Sequence, residues 1–213
     1  MSAIAKTVSL CAVFITLVVV MFVFSTLRTP QLSEEELRDK GVFVLPRPRE
    51  LGPFELQDQD GAAFNVASLQ GAWTFMFFGF THCPDVCPTS MAVLGQVERA
   101  LINTQAMVSD QPFRGVLVSV DPDRDSLEKI GTYARAFSPR FVGITGNREA
   151  LVELTQQVNV AFAKVPDGEG AYTIDHTGHI VVINPRGHFH GFVKLPHQEE
   201  TIRLAYQSLA ARF

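Results

Sequence analysis

Residues 78 to 90 read FGFTHCPDVCPTS, in which Cys83 and Cys87 stand four positions apart and each is followed by a proline. Four residues make about one helical turn, which sets both side chains on one face with Cα atoms about 6 Å apart. That separation suits a disulfide, and it equally suits two thiolates on one metal ion. A strained, inert turn is the third reading, and the spacing alone does not choose among them. Pro84 fits a first helical turn, while Pro88 disfavours helical geometry at Cys87. Cys83 is therefore expected on a loop leaving a strand, and Cys87 at the last tight turn before a helix. Close to a positive helix end, both sulfurs are expected to gain thiolate character.

Two thiolates leave a metal ion short of ligands, so a third donor is sought among His82, His176, His179, His188, His190 and His197. His176 is the best placed, because IDHTGHIVVINP sets it in a polar turn just before an apolar strand. Ligands of one site need to converge only in the fold, so its distance from Cys87 in the chain is no obstacle. Two sulfurs and one imidazole suit a soft ion, with Cu(I) ahead of Zn(II), which normally takes a fourth ligand. Cu(II) fits if a water or another donor joins. The redox alternative makes Cys83 the attacking thiol and Cys87 the resolving one, although three residues intervene rather than the two of CxxC proteins.

Other polar residues frame this stretch. Asp85, between the cysteines, is read as a control on local charge or a docking group, and Asp121, after an apolar strand, as a neighbour of the site. Asp125 with Glu128 reads as a helix-capping pair. His82 is read as a packing or surface residue, His179 as facing away from the site, and His188, His190 and His197 as solvent-facing. The aromatic run Trp73, Phe75, Phe77, Phe78 and Phe80 is read as core.

The elements that must position these groups follow from periodicity. Ala72–Phe78 is a continuous apolar run apart from Thr74, expected of a strand covered on both faces. Pro88 to Thr104 carries Met91, Leu94, Val97 and Leu101 at helical spacing. Gly115–Val120 is a second buried strand, Ser126 to Phe137 a helix, Phe141–Ile144 a short strand and Arg148–Val158 a helix. A small hairpin is expected around Gly61, from Phe54–Leu56 to Ala63–Val66. Thr173–Ile174 is read as the start of a hairpin with Ile180–Ile183, and Phe189–Val193 as pairing across NPRG. A final amphipathic helix holds Ile202, Ala205 and Leu209. The alternation predicts an α/β sandwich with a central mixed sheet, its site beyond the carboxyl ends of the parallel strands. That is where THCPDVCP falls.

Val8–Leu27 has 20 residues without a charge, Pro or Gly, about 30 Å of helix and long enough to cross a bilayer. No small-x-small cleavage pattern ends it, so an uncleaved single-pass anchor over residues 1–28 is expected, with Cys11 an ordinary membrane-buried cysteine. Lys and Arg are nearly balanced about the span, so orientation follows only weakly from charge. Residues 29–50, with three prolines, read as a juxtamembrane linker that includes a short edge strand at Gly41–Leu45; 51–213 reads as the globular domain. At 213 residues, 46% apolar, 19% charged and a formal charge of −4, the chain is long enough for one full core and gives no sign of disorder or of nucleic-acid binding.

Three motifs in order, GFTHCPDVCPT, SVDPDRDS (119–126) and YTIDHTGHIVVINPRG (172–187), resemble the SCO/SenC family of membrane-anchored, thioredoxin-like copper proteins over about residues 50 to 205. The resemblance implies a thioredoxin-type fold with an added N-terminal hairpin. It implies Cys83 and Cys87 as copper-binding thiols and His176 as the third ligand. Members of the family deliver copper to, or prepare, the binuclear copper site of a cytochrome c oxidase subunit, and some act as thiol-disulfide reductants for it. The implied partners are that subunit, an upstream copper donor or thiol reductant, and a membrane. The implied location is a bacterial inner membrane with the soluble domain facing the periplasm. Arg186 in NPRG and the histidine-rich HFHGF depart from the family's usual pattern and leave a second, weaker metal site or an altered partner surface open.

Overall fold

A computed structural model describes residues 3–27, 31–168 and 170–213; in the first helix, side chains are described for Ile4 and for 6–22. Helix α1, Ala3–Leu27, belongs to a separate unit from the compact body Leu32–Phe213. Its apolar side chains, Phe14 and Phe22 among them, are exposed. The expected span Val8–Leu27 runs past the described side chains, and among the described residues no helix is long and apolar enough to cross a membrane.

The compact body begins earlier than the linker reading of 29–50 supposed. Helix α2, Glu34–Asp39, is opened by a capping box in which Ser33 accepts from the Glu36 N–H and Glu36 accepts from the Ser33 N–H, and Leu37 is fully buried. Strand β1, Val42–Arg49, then runs beyond the short edge strand expected at Gly41–Leu45. Pro46 and Pro48 are tolerated there because β1 is the outermost strand, where a missing N–H breaks no inner ladder.

The hairpin around Gly61 is β2, Leu56–Asp58, with β3, Ala63–Phe64. Asp58 shapes its turn by accepting from the Asp60 and Ala62 N–H groups through Oδ1. Strand β4, Trp73–Gly79, is buried at every position. After it come α3 (Val86–Asn103), β5 (Phe113–Ser119), α4 (Leu127–Phe137), β6 (Val142–Thr145) and α5 (Arg148–Gln157). The strands β4, β5 and β6 run parallel, as two strand-helix-strand units require. Burial accounts for β4: with neighbours on both edges, apolar side chains such as Phe75, Met76 and Phe77 fill it, and its one polar side chain, Thr74, is buried with its hydroxyl accepting from Arg114 Nε.

In the last third the expected pairing of Phe189–Val193 with Ile180–Ile183 is present, while the hairpin expected between Thr173–Ile174 and Ile180–Ile183 is replaced. Strand β7, Phe162–Gly168, pairs antiparallel with β8, Ala171–His176, as a two-stranded hairpin outside the main sheet. Strand β9, Ile180–Ile183, instead lies antiparallel beside β4 and pairs with β10, Phe189–Val193, on its other edge. Helix α6, Glu199–Ala210, packs on α3. The eight-stranded sheet therefore runs β1-β10-β9-β4-β5-β6-β2-β3.

Candidate metal centre

The carboxyl end of β4 is the platform for the cysteine loop. Cys83 lies half-buried on that loop, its N–H reaching the Phe80 carbonyl, and Cys87 is the second residue of α3 and fully buried. The helix thus starts before Pro88, at Val86. Its first N–H groups have no intrahelical acceptor, so a proline in the first turn forfeits nothing. Gly79 lets the sulfur in: a Cβ there would sit 2.7 Å from Cys87 Sγ and 3.1 Å from the Phe77 ring.

His176 reaches the same place by strand direction. Because β9 is antiparallel to β4, with Ile180 opposite Phe77, the segment entering β9 lies at the end where the chain leaves β4. Thr177 holds that segment, its N–H donating to the Ala161 carbonyl and its hydroxyl accepting from the Ala161 N–H. His176 Nε2 comes 3.5 Å from Cys87 Sγ, and its ring stands edge-on to Phe77 and Phe80. One ligand atom each from Cys83, Cys87 and His176 fall within 4.8 Å of one another. Two thiolates at about 2.3 Å from one ion lie at most about 4.6 Å apart. The set therefore closes on an ion with shifts of a few tenths of an ångström, and its donors are the soft ones that favour copper. Among the described residues no other His, Cys, Asp and Glu side chains gather in this way.

Protonation follows from burial. His176 Nδ1 lies 3.2 Å from the Thr177 carbonyl, which only accepts, so Nδ1 carries the proton and Nε2 keeps a free lone pair toward the sulfur. Burial lowers the His176 pKa below the ordinary imidazole value, so the ring is neutral near pH 7. The expectation of thiolate character is overturned for Cys87. Burial, followed by the hydrogen bond with Cys83, pushes that thiol far above its ordinary range, outweighing the helix end. Cys87 accordingly holds its proton at neutral pH and must release it to bind a metal. The sign is fixed: the binding form is the deprotonated one, so affinity falls as pH falls, by at least about tenfold per unit for this one proton. Competition titrations with Cu(I) at a series of pH values measure that slope; a flat profile would contradict it.

The aspartates divide the labour differently from the expectation. Asp125 does not cap α4; Ser126 does, accepting from the Lys129 N–H. Asp125 is instead buried beneath the cysteine loop, accepting from the Thr81 N–H (2.8 Å), the Thr81 hydroxyl (2.5 Å) and the Ser119 hydroxyl (2.6 Å). Asp121, also buried, accepts from Arg124 Nε and from the Tyr172 hydroxyl at 2.8 Å. Arg124 in turn donates to the Tyr172 carbonyl and lies 3.8 Å over its ring, so this group ties the β7–β8 hairpin, and with it His176, to the end of β5. Asp85 is exposed at the start of α3 and makes no side-chain cap.

His82 is exposed, with Nδ1 3.4 Å from Asp125. His179 stacks on Phe192. His190 and His197 are not solvent-facing as expected. His190 packs edge-on to Trp73, His197 meets the Ser90 hydroxyl and the Phe77 ring, and burial lowers each pKa to about 4. His188 is half-buried, and the histidines of HFHGF gather no ligand cluster among the described residues.

The SCO1/SenC family pattern matches residues 45–211. The chain belongs to the SCO1/SenC family. A putative copper-binding protein of Stutzerimonas stutzeri is 33% identical over 172 residues, which cover 80% of this chain and 82% of that one. The human mitochondrial protein SCO2 homolog is 37% identical over 139 residues, 65% of this chain and 51% of its own length. The chain thus spans about half the length of that mitochondrial relative. Among solved structures, Arabidopsis thaliana ScoI with copper bound superposes with a TM-score of 0.70 at 28% identity, covering 76% of this chain and 98% of that one. The body of this SCO1/SenC protein is thereby a mixed α/β thioredoxin-like fold carrying a Cys-Cys-His group able to hold a metal ion.

Proposed function

We propose that this SCO1/SenC protein is a membrane-tethered copper carrier, in which Cys83, Cys87 and His176 hold one copper ion and pass it by ligand exchange to the copper-binding subunit of a cytochrome c oxidase, or prepare that subunit's binuclear site. The observation that carries the reading is the convergence of two thiols and an imidazole lone pair within 4.8 Å at the rim of the sheet. Copper-bound Sco structures from Arabidopsis thaliana, Bradyrhizobium japonicum and yeast support the choice of ion. Cys83 is the half-exposed donor, and an open groove of about 280 Å³ lined by Phe162, Asp175, His176 and Thr177 gives access to His176. An incoming ligand meets Cys83 and His176 before Cys87, as stepwise exchange requires. The exposed Asp85 suits a docking group. The apolar surface of α1 supports a tether, with the body on the periplasmic side of a bacterial inner membrane and an upstream copper donor or thiol reductant serving it.

The half-exposed Cys83 beside the buried Cys87 also suits thiol-disulfide exchange. Weighing against it as the main activity, the same burial that raises the Cys87 pKa leaves it a poor resolving nucleophile at neutral pH.

Anaerobic titration of the reduced full chain with Cu(I) and Cu(II) tests the proposal, with one equivalent bound as the expected result. His176→Ala is expected to weaken Cu(I) by about tenfold, since two thiolates still hold it, and to change the Cu(II) spectrum outright. Absence of one-equivalent binding, or an H176A variant with unaltered affinity and spectrum, would dispose of it. Disulfide turnover by the copper-free chain that depends on Cys83 would favour the exchange reading instead.

A further inference from the structure

The hairpin β7–β8 carries one ligand of the site without belonging to the sheet that carries the other two. Among the described residues β8 pairs with β7 alone, so no ladder of the main sheet holds His176 against Cys83 and Cys87. The bonds between Thr177 and Ala161 close the hairpin on itself. Its hold on the body therefore comes from side chains. Strand β8 alternates, with Tyr172, Ile174 and His176 turned inward and Ala171, Thr173 and Asp175 exposed. Ile174 is buried in the core, and Tyr172, about 13 Å along the strand from His176, meets a clamp. Its hydroxyl donates to Asp121 Oδ1 at 2.8 Å, its carbonyl accepts from Arg124 Nη1 at 2.8 Å, and its ring lies 3.8 Å from the Arg124 guanidinium. Arg124 Nη2 is buried with no hydrogen-bond partner among the described residues, so beyond Asp121 this cation is committed to the carbonyl and ring of one tyrosine. Phe80 adds a second route: its buried ring lies 5.6 Å from Arg124 Cζ on one side and 6.0 Å from the His176 ring. On β7, Lys164 pairs with Asp123, an exposed ion pair of small worth.

We infer that Tyr172 is the positioning residue for the third ligand: clamped by Asp121 and Arg124, it holds β8 where His176 meets the cysteines, and so sets the site's preference between the two oxidation states of copper. The inference rests on the copper reading above and deepens it. Two thiolates satisfy Cu(I) by themselves, whereas Cu(II) asks for nitrogen or oxygen donors as well. The cysteines do not depend on the clamp, because their loop and helix follow β4 and the loop is held by Asp125. A loosened clamp therefore leaves the sulfurs in place and withdraws the imidazole. Cu(II) loses most by it.

Tyr172→Ala and Tyr172→Phe, on the full chain in detergent beside the wild type, test it. Y172A is expected to weaken Cu(II) by about tenfold and Cu(I) by no more than about threefold, and to change the nitrogen hyperfine pattern of the Cu(II) electron paramagnetic resonance spectrum. Y172F keeps the ring and carbonyl contacts and loses only the bond to Asp121, so it is expected to fall between, at about threefold for Cu(II). In the metal-free protein, amide exchange in β8 is expected to quicken at least about tenfold in Y172A while β4 keeps its wild-type protection. A His176→Ala background removes the group through which Tyr172 acts, so adding Y172A there must leave Cu(II) affinity where H176A put it. Equal losses for the two ions, faster exchange throughout the body, or an undiminished Y172A effect beside H176A would each overturn the inference. Should Y172A not fold, Y172F decides by itself, and wild-type Cu(II) affinity and β8 exchange in that variant refute it. Wild-type protein that takes up no copper removes the copper reading and this inference with it; a copper-binding wild type with an indifferent Y172A removes this inference alone.

Discussion

Replacing Asp125 with alanine is expected to destabilise the compact body by about 3–5 kcal/mol and to open the cysteine loop. Three donors converge on this buried carboxylate, two from Thr81 at the start of the loop and one from Ser119 at the end of β5. Hydrogen bonds to a charged group are worth about 1.5–3 kcal/mol each, and a donor stranded in the interior costs more than the bond it lost. With its carboxylate acceptor gone the Thr81 N–H is stranded unless the chain exposes it to water, and the loop that carries Cys83 moves with it. Asp125→Asn, which keeps the size and one acceptor oxygen, is expected to lose about half as much. Urea unfolding of the metal-free protein measures both; a D125A cost below about 1 kcal/mol would show that the loop is held by something else.

Gly79→Ala is the second large effect, and it falls on the metal. The added methyl lands 2.7 Å from Cys87 Sγ and 3.1 Å from Phe77, inside contact distance of both. Neither neighbour yields freely: Cys87 is fixed in the first turn of a buried helix, and Phe77 is fully buried between β9 and β5. Overpacking of this kind costs about 1–3 kcal/mol of stability. A sulfur displaced by several tenths of an ångström also leaves the common centre with Cys83 and His176, so copper affinity is expected to fall by about a hundredfold. Chelator competition and urea unfolding on one preparation separate the two losses. Wild-type copper affinity in G79A would mean that the glycine serves only the strand.

Much of this site was legible in the chain because its parts obey strong local rules. A run from Trp73 to Phe78 that is apolar but for Thr74 has one comfortable home, a central strand, and a cysteine pair directly after it falls at the strand's carboxyl end. The partner histidine stood out among six by its place before another apolar run, and the family resemblance, more than that place, singled it out; it is in fact the last residue of β8. What stayed hidden depends on tertiary context. Strand β7 is exposed at nearly every position, FAKVPDG, so no alternation betrays it, and its pairing with β8 is seen only in space. The choice of Ser126 over Asp125 as the cap turns on the buried Thr81 and Ser119 waiting for a carboxylate, which the local pattern does not encode. His190 and His197 are polar residues in polar-looking surroundings, and only the folded rings of Trp73 and Phe77 reveal their burial. Gly79 carried no signal either, since a strand glycine announces a close approach without naming what approaches.

The two rims of the eight-stranded sheet differ in build but agree in effect. On one rim, β1 carries Pro46 and Pro48, which cannot donate to a neighbouring strand; on the other, β3 is two residues long. Neither offers a ladder on which a foreign strand can grow, the usual route by which a sheet recruits an extended peptide or a second sheet. Recognition is therefore pushed off the sides of the sheet and onto its end, where Cys83 and His176 lie at the surface. On the function proposed above, a partner that docks at this end meets Cys83 and His176 as it arrives, and encounter and transfer would share one surface.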